Sequence, residues 1–276
     1  MHLDRVTPAP FFVDAGTIEN VVINANGGDD TVIGTNGLGA LVNLTVDGGT
    51  GNDTIVGGDG ADNLLGGDGN DVVLGGRGND LALLGAGDDV FTWNPGDGSD
   101  TVEGQDGVDR LEFNGANVNE NIDISANGGR VRFFRDAANV TMDLNGVEVV
   151  SFHALGGADN IVINDLSGTD LASGAVAIDL EGAPGSGAPD GQVDRVTVNG
   201  AVGNEVITIA GSGGVASVSG VPAPVLIFHS EGTDQLVGQR QRRQRHHQCL
   251  GARCGYHGAH ARRRRRQRHH HRRRQC

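Results

Sequence analysis

Apolar side chains return every nine residues between positions 48 and 92. Ile55, Leu64, Val73, Ala82 and Phe91 each form the centre of a short run, and a polar, glycine-rich turn separates each run from the next. Such a run reads as a strand of about three residues whose central side chain points inward, because successive side chains on a strand face opposite sides. A fixed period is also the mark of a repeat architecture, in which stacked units share one core.

Four units follow one another without a gap: 48–56 (GGTGNDTIV), 57–65 (GGDGADNLL), 66–74 (GGDGNDVVL) and 75–83 (GGRGNDLAL). A fifth, 84–92 (LGAGDDVFT), has lost its first glycine. Glycine holds the first, second and fourth places: Gly48, Gly49 and Gly51 in the first unit, Gly57, Gly58 and Gly60 in the second. The same places hold Gly66, Gly67 and Gly69, then Gly75, Gly76 and Gly78, and the fifth unit keeps Gly85 and Gly87. Aspartate takes the sixth place throughout, at Asp53, Asp62, Asp71, Asp80 and Asp89.

Glycine permits tight turns that a side chain would forbid, and such turns expose carbonyl oxygens along one rim. One carboxylate per unit adds a row of hard oxygen donors. The units contain no nitrogen or sulfur donor, so zinc and copper are poor candidates, whereas a flexible set of six to eight oxygens suits Ca²⁺ better than the stricter octahedron of Mg²⁺. Ordinary hairpin turns also favour Asp-Gly and Asn-Gly, but they require no strict nine-residue register.

These five units resemble the RTX, or hemolysin-type calcium-binding, nonapeptide family, with pattern GGxGxDxUx. The resemblance implies a right-handed parallel β-roll in which two units make one turn, so that residues 18 apart stack. It implies several Ca²⁺ ions, held between Asp53 and Asp71, Asp62 and Asp80, and Asp71 and Asp89. Carbonyls of Gly48, Gly49, Gly51 and their equivalents in the later units would complete each shell. Arg77 stands where the family has a small or acidic residue, which is tolerated if only its carbonyl ligates.

Degenerate copies flank the strict repeat. In WNPGDGSDTVEGQDGVDRLEF, Asp100 and Asp109 sit nine apart and suggest one further site, and Asp30 in NANGGDDTVIG occupies the same turn context. Trp93 reads as a cap over the end of the roll. Residues 116–235 alternate β-prone runs with Gly/Asn/Asp/Pro turns and show no convincing helix. GGAD at 156–159 and GNE at 203–205 look like worn copies of the repeat turn, and EGAPGSGAPDG at 181–191 reads as a loop. The region fits a continued parallel solenoid or a sandwich, with the solenoid preferred. The fold class is thus all-β, divided into an N-terminal strand edge (1–25), a calcium-binding roll (26–115), a degenerate β-repeat region (116–238) and a basic tail (239–276).

Composition sharpens this division. Glycine makes up 47 of the 276 residues, against a usual share of roughly 7%. Residues 1–238 hold all 35 acidic residues, seven arginines and no cysteine, a formal charge of −28 with no disulfide to restrain it. Crowded carboxylates repel until a cation bridges them, so calcium binding is expected to drive folding of the roll. The chain has no lysine, which excludes P-loop and Schiff-base chemistry, and no apolar run long enough to span a bilayer. The first dozen residues lack the basic start and apolar stretch of a secretory signal. No HExxH or GxSxG motif occurs, and His153 and His229 stand alone in the sequence as surface or packing histidines, so no enzyme is expected.

The tail carries 14 arginines and no acid. Clustered arginine invites a nucleic-acid reading, but codon logic points elsewhere. If its glutamines are CAA and its arginines CGN, regrouping the bases by one turns QRQRRQRHHQC into NGNGGNDTINA. The restored turn aspartates would fall at 245 and 268, which are 23 apart, as are Asp30 and Asp53. We hypothesise a frameshifted second copy of 26–58; codons incompatible with the regrouping would end that idea. Otherwise His269 to His271 form a weak metal-binding run. The resemblance implies a secreted or cell-surface calcium-binding module exported by a type I system, with an unknown extracellular partner. The alternatives are the repeat portion of a larger exported toxin, adhesin or enzyme, and nucleic-acid binding through the tail.

Overall fold

A computed structural model describes residues 18–241, together with the backbone of two short antiparallel strands, His2–Arg5 and Phe11–Asp14. The readings of the tail from residue 242 onward lie outside the described residues. Within the unit 1–243, two sheets run side by side, one of eleven strands and one of ten, and in the strict repeat the chain steps from one to the other at each glycine-rich turn. In the strict repeat, Thr54 pairs with Val72 in one sheet and Asn63 with Leu81 in the other, both in parallel. One coil therefore comprises two nonapeptides.

The strands are longer than three residues. Thr54–Asp59 and Asn63–Asp68 continue through the glycine pair of the following unit, because the Gly-Gly-x backbone also pairs with the coil above, Gly49 with Gly67 and Gly58 with Gly76. Their alternation is as expected: Ile55, Leu64, Val73, Ala82 and Phe91 are fully buried. Register stacks them into columns, one of which runs Val32, Ile55, Val73, Phe91, Leu111, Val150, Val176, Val225. Each full burial of such a side chain contributes about 1.5–3 kcal/mol, so these columns drive assembly of the coils.

Both sheets continue past residue 115 as a solenoid, which decides between the two architectures the sequence left open. The coils lengthen: Thr101 pairs with Leu81, but Asp143 is the next partner of Thr101. The added chain forms an antiparallel meander, Asn121–Asn127, Arg130–Arg135 and Val140–Asn145, inserted within the eleven-stranded sheet. A second meander, Thr208–Ser212, Val215–Ser219 and Val225–Phe228, ends the other sheet. Among the described residues the only helical segments are two short 3-10 turns, Ala137–Asn139 and Asp170–Ser173.

Trp93 is not an end cap. Thr92 pairs with Leu74, so Trp93 takes the place one coil on from Gly75, where it is fully buried. Its ring stacks on Phe113 at 4.1 Å between centroids, and its Nε1 donates to the carbonyl of Gly98 at 2.8 Å. Phe133 and Phe152 pack against Phe113 in turn. An aromatic cluster thus replaces the glycine column where the strict repeat gives way, and each favourable ring pair adds about 0.5–1.5 kcal/mol beyond its burial.

Candidate metal centre

The sixth-place aspartates line up along the two turn edges of the roll. On one edge the backbone N–H of Asp53 donates to Oδ1 of Asp71, that of Asp71 to Asp89, and that of Asp89 to Asp109, at 2.7–2.9 Å. Asp30 begins this row by donating to Asp53 Oδ1. On the other edge Asp62 donates to Asp80 and Asp80 to Asp100, each at 2.9 Å. The pairs Asp53–Asp71, Asp62–Asp80 and Asp71–Asp89 therefore occupy adjacent coils, as the sequence spacing requires. Asp100 and Asp109 join them across a coil two residues longer.

A second row runs the opposite way and was not read from the sequence. Asn52 Oδ1 accepts from the N–H of Asn70, and Asn70 Oδ1 from that of Asp88, at 2.7 and 2.9 Å. The fifth place had been treated as variable; the recurrence of Asn52, Asn70 and Asn79 was the available signal. Together the two rows clamp each coil to both neighbours through side-chain oxygens.

One oxygen of every sixth-place aspartate remains free. Oδ2 of Asp53, Asp62, Asp71, Asp80, Asp89, Asp100 and Asp109 is buried and has no hydrogen-bond partner. In the four strict units the first glycine makes room for it. A Cβ on Gly57 would stand 2.7 Å from Asp62 Oδ2 and 2.5 Å from the carbonyl oxygen of Gly75. An anionic oxygen and a carbonyl oxygen of the next coil thus converge with no donor between them. Gly48 and Gly66 leave the same space beside Asp53 and Asp71. The fourth-place glycines serve a different need: Gly51 has φ +127, a conformation L side chains rarely adopt, and its N–H donates to the carbonyl of Asp68. Arg77 turns its side chain to solvent near Asp59, while its carbonyl accepts from Gly60.

The cost of packing these acids appears in their proton affinity. Burial, only partly offset by the backbone hydrogen bond each receives, pushes Asp62 and Asp71 up to about 6, Asp100 and Asp109 to about 7 and Asp80 to about 8. Neighbouring carboxylates add to the rise, Asp89 and Asp53 at Asp71, and Asp100, Asp62 and Asp97 at Asp80. Oxygen-only donors, unpartnered and crowded so that the charged form needs a counter-charge, fit a hard divalent cation of the calcium type.

The repeat row passes from Asp109 to Glu148, whose Oε2 accepts from the N–H of Asp109 at 2.8 Å, and a separate acidic row that sequence reasoning missed follows the first meander strand. The N–H of Glu120 donates to Asp159 Oδ1, that of Asp159 to Asp194 Oδ1 and that of Asp194 to Asp234 Oδ1, at 2.8–3.1 Å. These links span 35–40 residues, so no short period reveals them. GGAD at 156–159 was the one visible trace. Glu205, in the other worn copy, accepts from Ala201 four residues away and joins no such row.

His153 and His229, separate in the sequence, are brought together. His153 Nε2 lies 2.6 Å from Glu112, His229 Nδ1 lies 2.6 Å from Asp179, and His153 Nδ1 is 3.9 Å from the same aspartate. The hydrogen bond to Glu112 raises the His153 pKa.

The fold and the acidic rows define a parallel β-roll solenoid with cation-binding turns. The RTX calcium-binding nonapeptide repeat matches in four copies, at 15–38, 47–82, 66–92 and 96–117. The chain therefore carries hemolysin-type RTX repeats, and these repeats bind Ca²⁺. No curated protein matches the chain. Among the described residues no helix is long and apolar enough to cross a membrane.

Proposed function

We propose that this chain is an extracellular structural module whose roll is ordered by calcium, with Asp53, Asp62, Asp71, Asp80, Asp89, Asp100 and Asp109 as the carboxylate ligands. The observation that carries this reading is the row of buried Oδ2 atoms without partners. First-glycine carbonyls such as those of Gly66 and Gly75 stand beside them as neutral donors. Bound Ca²⁺ supplies the positive charge that lets adjacent coils approach. In the folded roll Oδ1 of each aspartate is committed to the neighbouring backbone, which holds the side chain in one orientation and leaves Oδ2 for the ion.

Extracellular calcium modules commonly bind at about 10⁻⁴–10⁻³ M, far above cytosolic calcium. A roll tuned to that range stays unfolded inside the cell and folds once outside, which suits a secreted or cell-surface protein. The apolar columns and aromatic cluster supply a core, and the acidic turns make its assembly conditional.

Circular dichroism in the far ultraviolet during a calcium titration of the full chain, with magnesium as control, tests the proposal. A cooperative gain of β signal with Ca²⁺ alone is expected. A spectrum equally folded in chelator and in calcium would overturn the folding dependence.

A further inference from the structure

The repeat row has a last rung that the nonapeptide spacing does not supply. Asp109 is fully buried; its Oδ1 accepts from the N–H of Asp89, and its Oδ2 has no partner. No aspartate follows it at the spacing of 18 or 20 that links the earlier members of the row. The chain returns beside Asp109 only after the inserted meander, at Gly146, Val147 and Glu148. We propose that Asp109, the carbonyl of Gly146 and the carboxylate of Glu148 hold a further Ca²⁺ ion between the last matched coil and the coil after the meander. This rests on the calcium reading of the repeat row and extends it to residues that no nonapeptide match reaches.

The parts of a repeat site recur there. Gly104 stands five places before Asp109, as Gly57 stands before Asp62. A Cβ on Gly57 would meet Asp62 Oδ2 and the carbonyl oxygen of Gly75 in the next coil; a Cβ on Gly104 would collide with Asp109 Oδ2 and the carbonyl oxygen of Gly146. The free carboxylate oxygen and a carbonyl oxygen of the following coil therefore converge at Gly104 as they do in the strict units. The carboxylate of the following coil is present too. Glu148 Oε2 accepts from the N–H of Asp109 at 2.8 Å, the bond that Asp71 Oδ1 makes with Asp53 and Asp89 Oδ1 with Asp71. Among the described residues no ion pair reaches Asp109 or Glu148.

A shorter turn accounts for glutamate in place of aspartate. Five places separate the first glycine from the acid in the strict units, but only two separate Gly146 from Glu148. The N–H groups of Glu148 and Val149 both donate to the carbonyl of Asp109, at 3.1 and 3.0 Å, and Gly146 N–H donates to Asp170 Oδ2 at 2.9 Å, so this turn is held at both ends. The extra methylene of glutamate carries its carboxylate back to the N–H that a longer turn presents to aspartate. Two carboxylates and a carbonyl, with no imidazole or thiolate among them, suit the same hard cation as the repeat. The ion clamps the turn that closes the meander onto the last matched coil, so ordering by calcium passes from the repeat into the region beyond it.

The test counts bound Ca²⁺ per full-length chain by equilibrium dialysis, in the unmodified protein and in the Glu148→Gln and Asp71→Asn variants, with amide hydrogen exchange in calcium as the local readout. Glutamine keeps an acceptor for the Asp109 N–H and removes the charge. Glu148→Gln is expected to bind one ion fewer per chain, and to lose calcium-dependent protection at 146–149 while residues 48–92 keep theirs. Glu148→Asp keeps the charge but falls one methylene short; it is expected to lose the same ion and replaces the amide variant if that one fails to fold. An unchanged count and unchanged protection at 146–149, beside a reduced count in Asp71→Asn, would overturn this site and leave the repeat reading standing. An unmodified chain that binds no calcium would overturn both.

Discussion

The backbone N–H of Asp71 donates to Oδ1 of Asp89 across 2.7 Å, while Oδ2 of both residues lies buried and unpartnered. Half of each carboxylate is therefore spent on holding the coils together, and the other half is left to repel its neighbours unless a proton or a cation intervenes.

That balance makes stability depend on pH with a definite sign. Asp62, Asp71, Asp80, Asp100 and Asp109 are raised from 3.8 to values between about 6 and about 8. Between those limits the ion-free fold binds protons that the unfolded chain has released, so its stability falls as pH rises. The β signal of the chain in chelator is expected to fall from pH 5, where protons stand in for the ion, to pH 8, and apparent calcium affinity to climb over the same window as ions displace protons. His153, raised by Glu112, acts in the same direction: its contribution is present below the unfolded histidine pKa and lost as pH rises. A His153→Gln background isolates the aspartates. A β signal in chelator that grows steadily to pH 8 in that background would contradict the burial of these acids.

The closeness of the coils yields a second prediction. Gly67 has φ +117, and a Cβ there would collide with the carbonyl oxygen of Gly49, part of a backbone that cannot swing aside. Gly96 has a similar φ of +109 and nothing within 4 Å of its would-be Cβ. Backbone strain alone costs about 1–3 kcal/mol, so Gly96→Ala should fall in that range. Gly67→Ala should exceed it by about 1–3 kcal/mol, the usual cost of overpacking against a fixed neighbour. Urea unfolding in saturating calcium measures both. Equal losses would mean that the coils stack more loosely than the structure has them.

The repeat was legible because its signals are local. The nine-residue return of Ile55, Leu64, Val73, Ala82 and Phe91 identifies the inward column, and the aspartates two places earlier identify the ladder. What escaped depends on distance along the chain. Asp159 meets Asp194 only because the loop and strands between them form one irregular coil, and Glu120 meets Asp159 across 39 residues. Trp93 misleads for a related reason: an aromatic at the end of a strict repeat reads as a lid, whereas parallel pairing with the next coil, Trp93 on Phe113, carries it into the core. The asparagine row was in plain view but looked like variation, since its function is to return a hydrogen bond that a single coil does not reveal.

Arg135 and Glu120 supply the third prediction. Arg135 is 4% exposed and Glu120 1%, and the guanidinium also donates to the carbonyl of Ala137 and lies 5.3 Å from the Trp93 ring. Burial raises the Glu120 pKa, with Arg135 opposing it. Arg135→Met keeps an unbranched apolar stem but strands a buried carboxylate, a loss of about 3–5 kcal/mol at pH 8. The loss should shrink at pH 5, where Glu120, released from its partner, takes up a proton inside the fold. Adding Glu120→Gln to Arg135→Met should recover much of the stability, since a neutral amide no longer needs a counter-charge. Urea unfolding of the single and double variants at both pH values in excess calcium measures this. A single variant that loses under about 1 kcal/mol at both would mean that the ion pair neutralises nothing the fold requires.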